Sequence, residues 1–256
     1  MTDSLTDGFS PAGEEEHELP KMTFLEHLEE LRKRLIISII ALGVAFLACW
    51  NYADRIFAWI SLPLSRFLPP GGKLVYTRLT EPFMLYMKVA LFAGVFLASP
   101  VILWQLWLFI APGLYKRERH YAAPFIIIAS LFFIAGGYFG YRVLLPGMCA
   151  FFVETGKQFA QMIKADDFFS FASTMILTTG LVFETPILIF FLARLGIVTP
   201  QFLLQKSKWA IVAAFVISAI ITPSADMVNQ TAFAIPMIIL YFIGVGVAFL
   251  FAKKVT

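Results

Sequence analysis

Charge is what this 256-residue sequence has least of: Asp, Glu, Lys and Arg make up 14% of it, against about 25% in ordinary soluble domains. So little polar side chain cannot cover a folded chain in water, and with 59% hydrophobic residues the uncovered surface is expected to face lipid. The formal net charge is only +3, and the basic residues cluster at the ends of apolar segments, so a nucleic-acid partner is not expected. Two cysteines, Cys49 and Cys149, lack metal-type spacing and read as small buried hydrophobes. The three histidines, His17, His27 and His120, all lie outside the apolar stretches, which leaves an intramembrane serine protease without a base. An aspartyl intramembrane protease needs two aspartates within spans, and none of the six apolar stretches contains one, Asp226 lying at a loop edge. Phosphate-loop, H-E-x-x-H and G-x-S-x-G motifs are also missing, as is an inverted repeat. These absences argue against an enzyme, and no cofactor or metal is expected. The first twenty residues have neither a basic n-region nor an apolar h-region and carry Glu14, Glu15, Glu16 and Glu18. Residues 1–22 are expected to be a disordered acidic tail ahead of one membrane domain, 23–256.

What is present is hydrophobic length. Six stretches can cross a bilayer: 35–52, 83–110, 122–145, 168–195, 209–222 and 231–252. The fold class is therefore all-α, a polytopic bundle of six transmembrane helices with the fifth and sixth short. An even number of spans puts both termini on one side. Lys and Arg at the segment ends divide twelve on the terminal side against seven on the other, which places both termini in the cytoplasm. Loops of about thirty residues after the first span and about twenty after the third are expected outside.

The fifth stretch is too short for a normal bilayer. Fourteen residues at 1.5 Å each reach about 21 Å, against about 30 Å of hydrocarbon, so local thinning or shielding within a helical hairpin is expected. Pro100, Pro186 and Pro236 interrupt the spans and can bend them into a concave bundle. Gly136 and Gly140 form a small-xxx-small pair suited to helix contact.

The few charges that remain inside or beside the spans are the candidates for function. Glu184 sits near the middle of the 168–195 stretch, where a carboxylate is costly and is ordinarily turned toward a bundle interior or a watery cavity. Residues 23–34 read as an amphipathic cytoplasmic helix running into the first span, with Thr23 and Glu26 as a capping box and Glu29–Lys33 and Glu30–Arg34 at i,i+4. Glu118 stands alone among Lys116, Arg117, Arg119 and His120. Glu30 and Glu118 can accept guanidinium groups bidentately, which lysine does not match. By themselves these carboxylates are equally well explained as helix support and as a neutralising loop charge.

From about Thr23 onward the chain resembles the TatC family, the large membrane subunit of the twin-arginine protein translocase. The resemblance is carried by His27-Leu-Glu-Glu-Leu-Arg-Lys-Arg-Leu35, by Pro100 through Trp107 with Phe109-Ile-Ala-Pro-Gly-Leu-Tyr-Lys-Arg-Glu-Arg119, and by Phe183-Glu-Thr-Pro186. Thr222-Pro223 with Asp226 and Gln230, and Ala234-Ile-Pro236, complete it. It implies recognition of signal peptides bearing paired arginines and passage of folded proteins, driven by the proton motive force without a cofactor. It implies a signal-peptide surface of Glu30, Glu118, His27, Arg32, Arg34, Phe109, Pro112, Tyr115 and Arg119. It also implies intramembrane polar or partner contacts at Glu184, Gln105 and Gln230, and structural roles outside the membrane for Pro63 and Asp226. Expected partners are the lipid bilayer, single-span subunits of the TatA and TatB type, and further copies of this chain, in a bacterial-type inner membrane. The alternative is a gradient-driven small-solute or ion transporter that uses Glu184.

Overall fold

The computed structural model describes residues 24–68, 72–110, 122–194, 196–222 and 226–251. The expected tail, 1–22, and the candidate residues Pro112, Tyr115, Glu118 and Arg119 lie outside that set.

Every described element is helical apart from one isolated bridge. The first span and the amphipathic segment before it form one uninterrupted helix, α1 (Phe24–Trp50). A short helix α2 (Ala53–Ser65) comes next, then α3 (Glu81–Ile110). The third pass is composite: α4 (Ala122–Phe139) runs through a π-helical turn, Gly140–Leu144, into α5 (Leu145–Thr155). The fourth is α6 (Ala165–Phe183) continued by α7 (Thr185–Arg194). A single turn, α8 (Pro200–Gln205), precedes the final hairpin of α9 (Ser207–Ile221) and α10 (Met227–Phe251). Five of the six passes are long and apolar enough to span a membrane, and α9 is the shorter one. Only the fifth pass is short; α10 begins four residues before the hydropathy edge and reaches 25 residues.

One loop expectation agrees with the structure in length and one is corrected. The connection after α1 holds α2, whose Ala53, Ile60 and Leu64 are buried, so packing and not length decides its structure. The connection after the third pass is residues 156–164, shorter than the hydropathy edges suggest, because α5 extends the pass to Thr155. These two connections are tied together: Val75 N donates to the Ile163 carbonyl at 2.9 Å and Ala165 N to the Val75 carbonyl at 2.9 Å. Lys88 Nζ donates to Asp166 Oδ1 at 2.7 Å beside them. That end of the bundle is here termed the far end, and the end carrying the α1 amino terminus the near end.

Small residues set the helix spacing. A Cβ on Gly136 would lie 2.6 Å from the Thr179 carbonyl oxygen, and one on Gly140 would overlap Thr179 Oγ1, so α4 and α6 meet backbone to backbone along this pair. α1 packs along α3, and α10 lies between α7 and α9. The main core gathers Phe169, Ile60, Leu145, Met148, Met175 and Phe233, whose side chains are almost fully buried. A second cluster, Ile189, Ala193, Leu203, Val245 and Ala248, joins α7 and α8 to α10. Leu35, Ile39, Ile40, Val44 and Leu47 of α1 are exposed, a lipid-facing stripe on the most peripheral span.

Candidate functional site

At the near end, the start of α1 meets the end of α3. Arg34 is the joint between them: its Nη2 donates to Glu30 Oε1 at 3.1 Å, one turn earlier, and its Nη1 donates to Gln105 Oε1 at 3.3 Å, across on α3. Two turns before Arg34, the His27 ring stacks on Phe109, with centroids 4.4 Å apart and planes at 20°. The i,i+4 spacing that stabilises an isolated helix here also orients a cation toward a second helix. Gln105, expected among the intramembrane contacts, is brought into this corner with Glu30, while Arg32 is exposed.

The corner is half-satisfied. Glu30 is only 17% exposed at its side chain, and its Oε2 has no hydrogen-bond partner among the described residues. One oxygen is held by Arg34 and the other is a buried acceptor left without a partner among the described residues. A carboxylate in partial burial strengthens any charge-assisted bond it accepts, and a guanidinium offers the planar pair of donors that fits it.

The remaining candidates lie elsewhere. Glu184 occupies the break between α6 and α7, 8% exposed, with Oε1 unpartnered among the described residues. Pro186 explains the break. Its missing N–H and its ring deny the Val182 carbonyl an ordinary helical partner, so the Glu184 N–H turns back to Leu181 O at 3.1 Å and α7 restarts at Thr185. The break therefore puts a carboxyl group and loosened backbone at one level of the fourth pass.

Gln230 and Asp226 belong to the far-end hairpin. Ser218 Oγ donates to the Gln230 carbonyl at 2.6 Å, and Gln230 Nε2 donates to the Phe215 carbonyl at 3.0 Å, stitching α9 to α10. Asp226 caps α10: its Oδ1 accepts from Asn229 N and its Oδ2 from Asn229 Nδ2, both at 2.8 Å. Pro63 is buried inside α2. No cluster of His, Cys, Asp or Glu among the described residues has the makings of a metal site.

The profile of the family described as Sec-independent protein translocase protein (TatC) matches residues 26–236. The chain belongs to the TatC family. Relatives of the same description in Koribacter versatilis (strain Ellin345) and Desulforapulum autotrophicum are 45% and 40% identical, covering 92% and 91% of this chain and 88% and 87% of theirs. A crystal structure of the twin-arginine translocase receptor TatC shares the fold with a TM-score of 0.78 at 36% identity, over 88% of this chain and 99% of that one. The same receptor in DDM gives 0.79 over 89% and 100%. As a TatC-family chain with five long apolar helices and a sixth shorter one, it is a multi-pass membrane protein.

Two features go beyond what hydropathy and periodicity disclose. The Arg34–Gln105 bond joins residues 71 apart, and no periodicity pairs them. Asn229 precedes no motif of its own, although Asp-x-x-Asn at a helix start is a recognisable capping pattern.

Proposed function

We propose that this chain is the signal-peptide receptor and core membrane subunit of a twin-arginine translocase. Cargo arrives at the near end, which faces the cytoplasm with both termini, in a bacterial-type inner membrane. Residues 1–22 are a tail outside the single membrane domain. The arginine pair of the signal peptide is bound by Glu30 and Glu118, with His27, Phe109, Pro112, Tyr115 and Arg119 shaping the surface and Arg32 and Arg34 setting its charge. Glu184 lies on a concave membrane face where single-span TatA- and TatB-type helices dock, further copies of this chain complete the complex, and the proton motive force drives passage of folded cargo. The role is non-enzymatic and needs no cofactor.

The observation that carries this reading is the state of Glu30. It is partly buried at a helix junction, and only one of its oxygens is engaged. Arg34 already holds one oxygen, and a guanidinium that reaches the other, a buried acceptor without a partner among the described residues, adds charge-assisted bonds. Such bonds contribute about 1.5–3 kcal/mol each, or roughly 10- to 100-fold in affinity. The test is binding of an Arg-Arg signal peptide and its Lys-Lys twin to the full chain in nanodiscs, for wild type, Glu30→Gln and Glu118→Gln. Arg-Arg is expected to bind tightly, with Lys-Lys and both variants at least about tenfold weaker. Equal binding of the two peptides overturns the assignment.

One observation favours the second reading, a gradient-driven solute or ion transporter: Glu184 Oε1 is buried without a partner among the described residues, on a broken helix, as a proton or ion site would be. Vesicles that take up solute in the absence of any signal-bearing protein would favour it.

A further inference from the structure

The far end holds a basic cavity that the receptor reading does not use. α2 is clamped onto the π-helical turn: Tyr141 OH donates to the Trp59 carbonyl at 2.8 Å, and the two rings stack at 4.0 Å and 26°. The extra residue of a π turn widens the helix and shifts the register of the residues beyond it. Here Tyr141 is buried in the core and the next residue, Arg142, is exposed. Arg66, the residue that closes α2, comes to the same place from the other side. Together with Trp59, Leu62, Tyr138 and Pro146 they line a cavity of about 330 Å³.

The two arginines stand without counter-charge. Two cations beside the far-end loops find carboxylates, Lys88 on Asp166 and Lys157 on Glu154; Arg66 and Arg142 form no ion pair among the described residues, as is also true of Arg55, Lys73, Arg78 and Lys164, and what sets the two apart is that they line one cavity. Around them the surface is apolar and aromatic: Trp59, Leu62, Tyr138 and Val143 are all about half exposed. Exposed Trp and Tyr beside exposed aliphatic side chains mark the boundary between hydrocarbon and water. Two guanidiniums lining one cleft at that depth suit an oxyanion, and a planar fork matches phosphate best.

We propose that the cleft between α2 and the π turn binds a phosphate oxyanion through Arg66 and Arg142, with Tyr138 at its rim, and that the apolar border selects one carried on an anionic lipid headgroup. Bound there, the lipid would pin α2 to the third pass from the lipid side, as Tyr141 pins it from the core side.

The full chain in nanodiscs of phosphatidylcholine containing a minority of phosphatidylglycerol, with retained lipid counted by native mass spectrometry, tests this. Phosphatidylglycerol is expected to be retained in preference, by about fivefold for each arginine engaged. Arg66→Gln and Arg142→Gln should each lose one such factor, the double variant both, and the charge-preserving Arg66→Lys/Arg142→Lys pair should fall between wild type and the double Gln variant, keeping the charge but not the fork. Arg55→Gln and Arg78→Gln, basic residues of the same end outside the cavity, should change nothing. If millimolar inorganic phosphate instead raises the thermal midpoint in pure phosphatidylcholine discs, and the double variant abolishes that rise, the oxyanion site stands but its ligand is the free anion. Wild-type retention in the double Gln variant overturns the site, and so does an equal loss in the Arg55 and Arg78 variants.

Discussion

Glu30 and Glu184 show how one residue type serves two different places in a membrane protein. At Glu30 the carboxylate is half-paired, so a cationic ligand finds a charged acceptor already oriented by Arg34. Exchange to Gln keeps the shape and removes the charge, and the loss is expected in ligand affinity with little change in thermal stability. A drop in the thermal midpoint as large as the drop in affinity would mean that Glu30 acts through the fold. At Glu184 the balance is reversed. A buried acceptor without a partner costs about 1–3 kcal/mol, so Glu184→Leu should leave the isolated chain as stable or make it more stable. The same change should reduce co-purification of single-span partner subunits and export of a twin-arginine reporter. A destabilised chain that still exports normally would sink the partner role. At this scale the sequence discloses which residues are out of place, since a carboxylate in an apolar run is visible without coordinates. It does not disclose what they touch, because Arg34 and Gln105 meet only after α1 and α3 have packed.

Helices in lipid gain little from the hydrophobic effect between one another, so close approach decides which of them pair. The edge that runs from Gly136 of α4 to Gly140 of the π turn is such an approach, with Thr179 and Phe183 of α6 directly against it. Gly136→Leu should force the two helices apart and cost about 1–3 kcal/mol by overpacking, read as a lower unfolding midpoint in detergent. An unchanged midpoint would remove that contact from the account. The pair is legible in the sequence because small-xxx-small spacing puts both glycines on one face. α2 is not, since thirteen residues that include Asp54 and Arg55 fail any hydropathy window. Its signal is periodic instead: Ile56, Ile60 and Leu64 recur every four residues and pack on the core. The break at Glu184 belongs between these cases, for Pro186 announces a disturbance, while its position one residue after α6 ends emerges from which carbonyl loses its partner.

The whole molecule has two chemically distinct ends, a near end with the half-satisfied Glu30 corner and a far end with the capped start of α10 and the arginine cleft. The proposed orientation makes a direct prediction. In a chain with Cys49→Ala and Cys149→Ala, Phe159→Cys should react with an impermeant maleimide in intact cells, and Gln201→Cys should react only after lysis. The reverse pattern would invert the topology and remove the receptor surface from the cytoplasm. Span number, and the basic excess that underlies this orientation, are already legible in composition and charge; the short α9 is legible too, whereas the full length of α10 is not, because its first turn is polar and capped by Asp226. Everything proposed for the near end depends on Glu30 receiving an arginine guanidinium. A double-mutant cycle between Glu30→Gln in the receptor and Arg→Lys in the signal peptide, measured as binding to nanodiscs, tests it most directly. A coupling energy of about 1.5–3 kcal/mol is expected, with Arg→Lys costing almost nothing once Glu30 is replaced. Additive losses, with no coupling between the two changes, would contradict it.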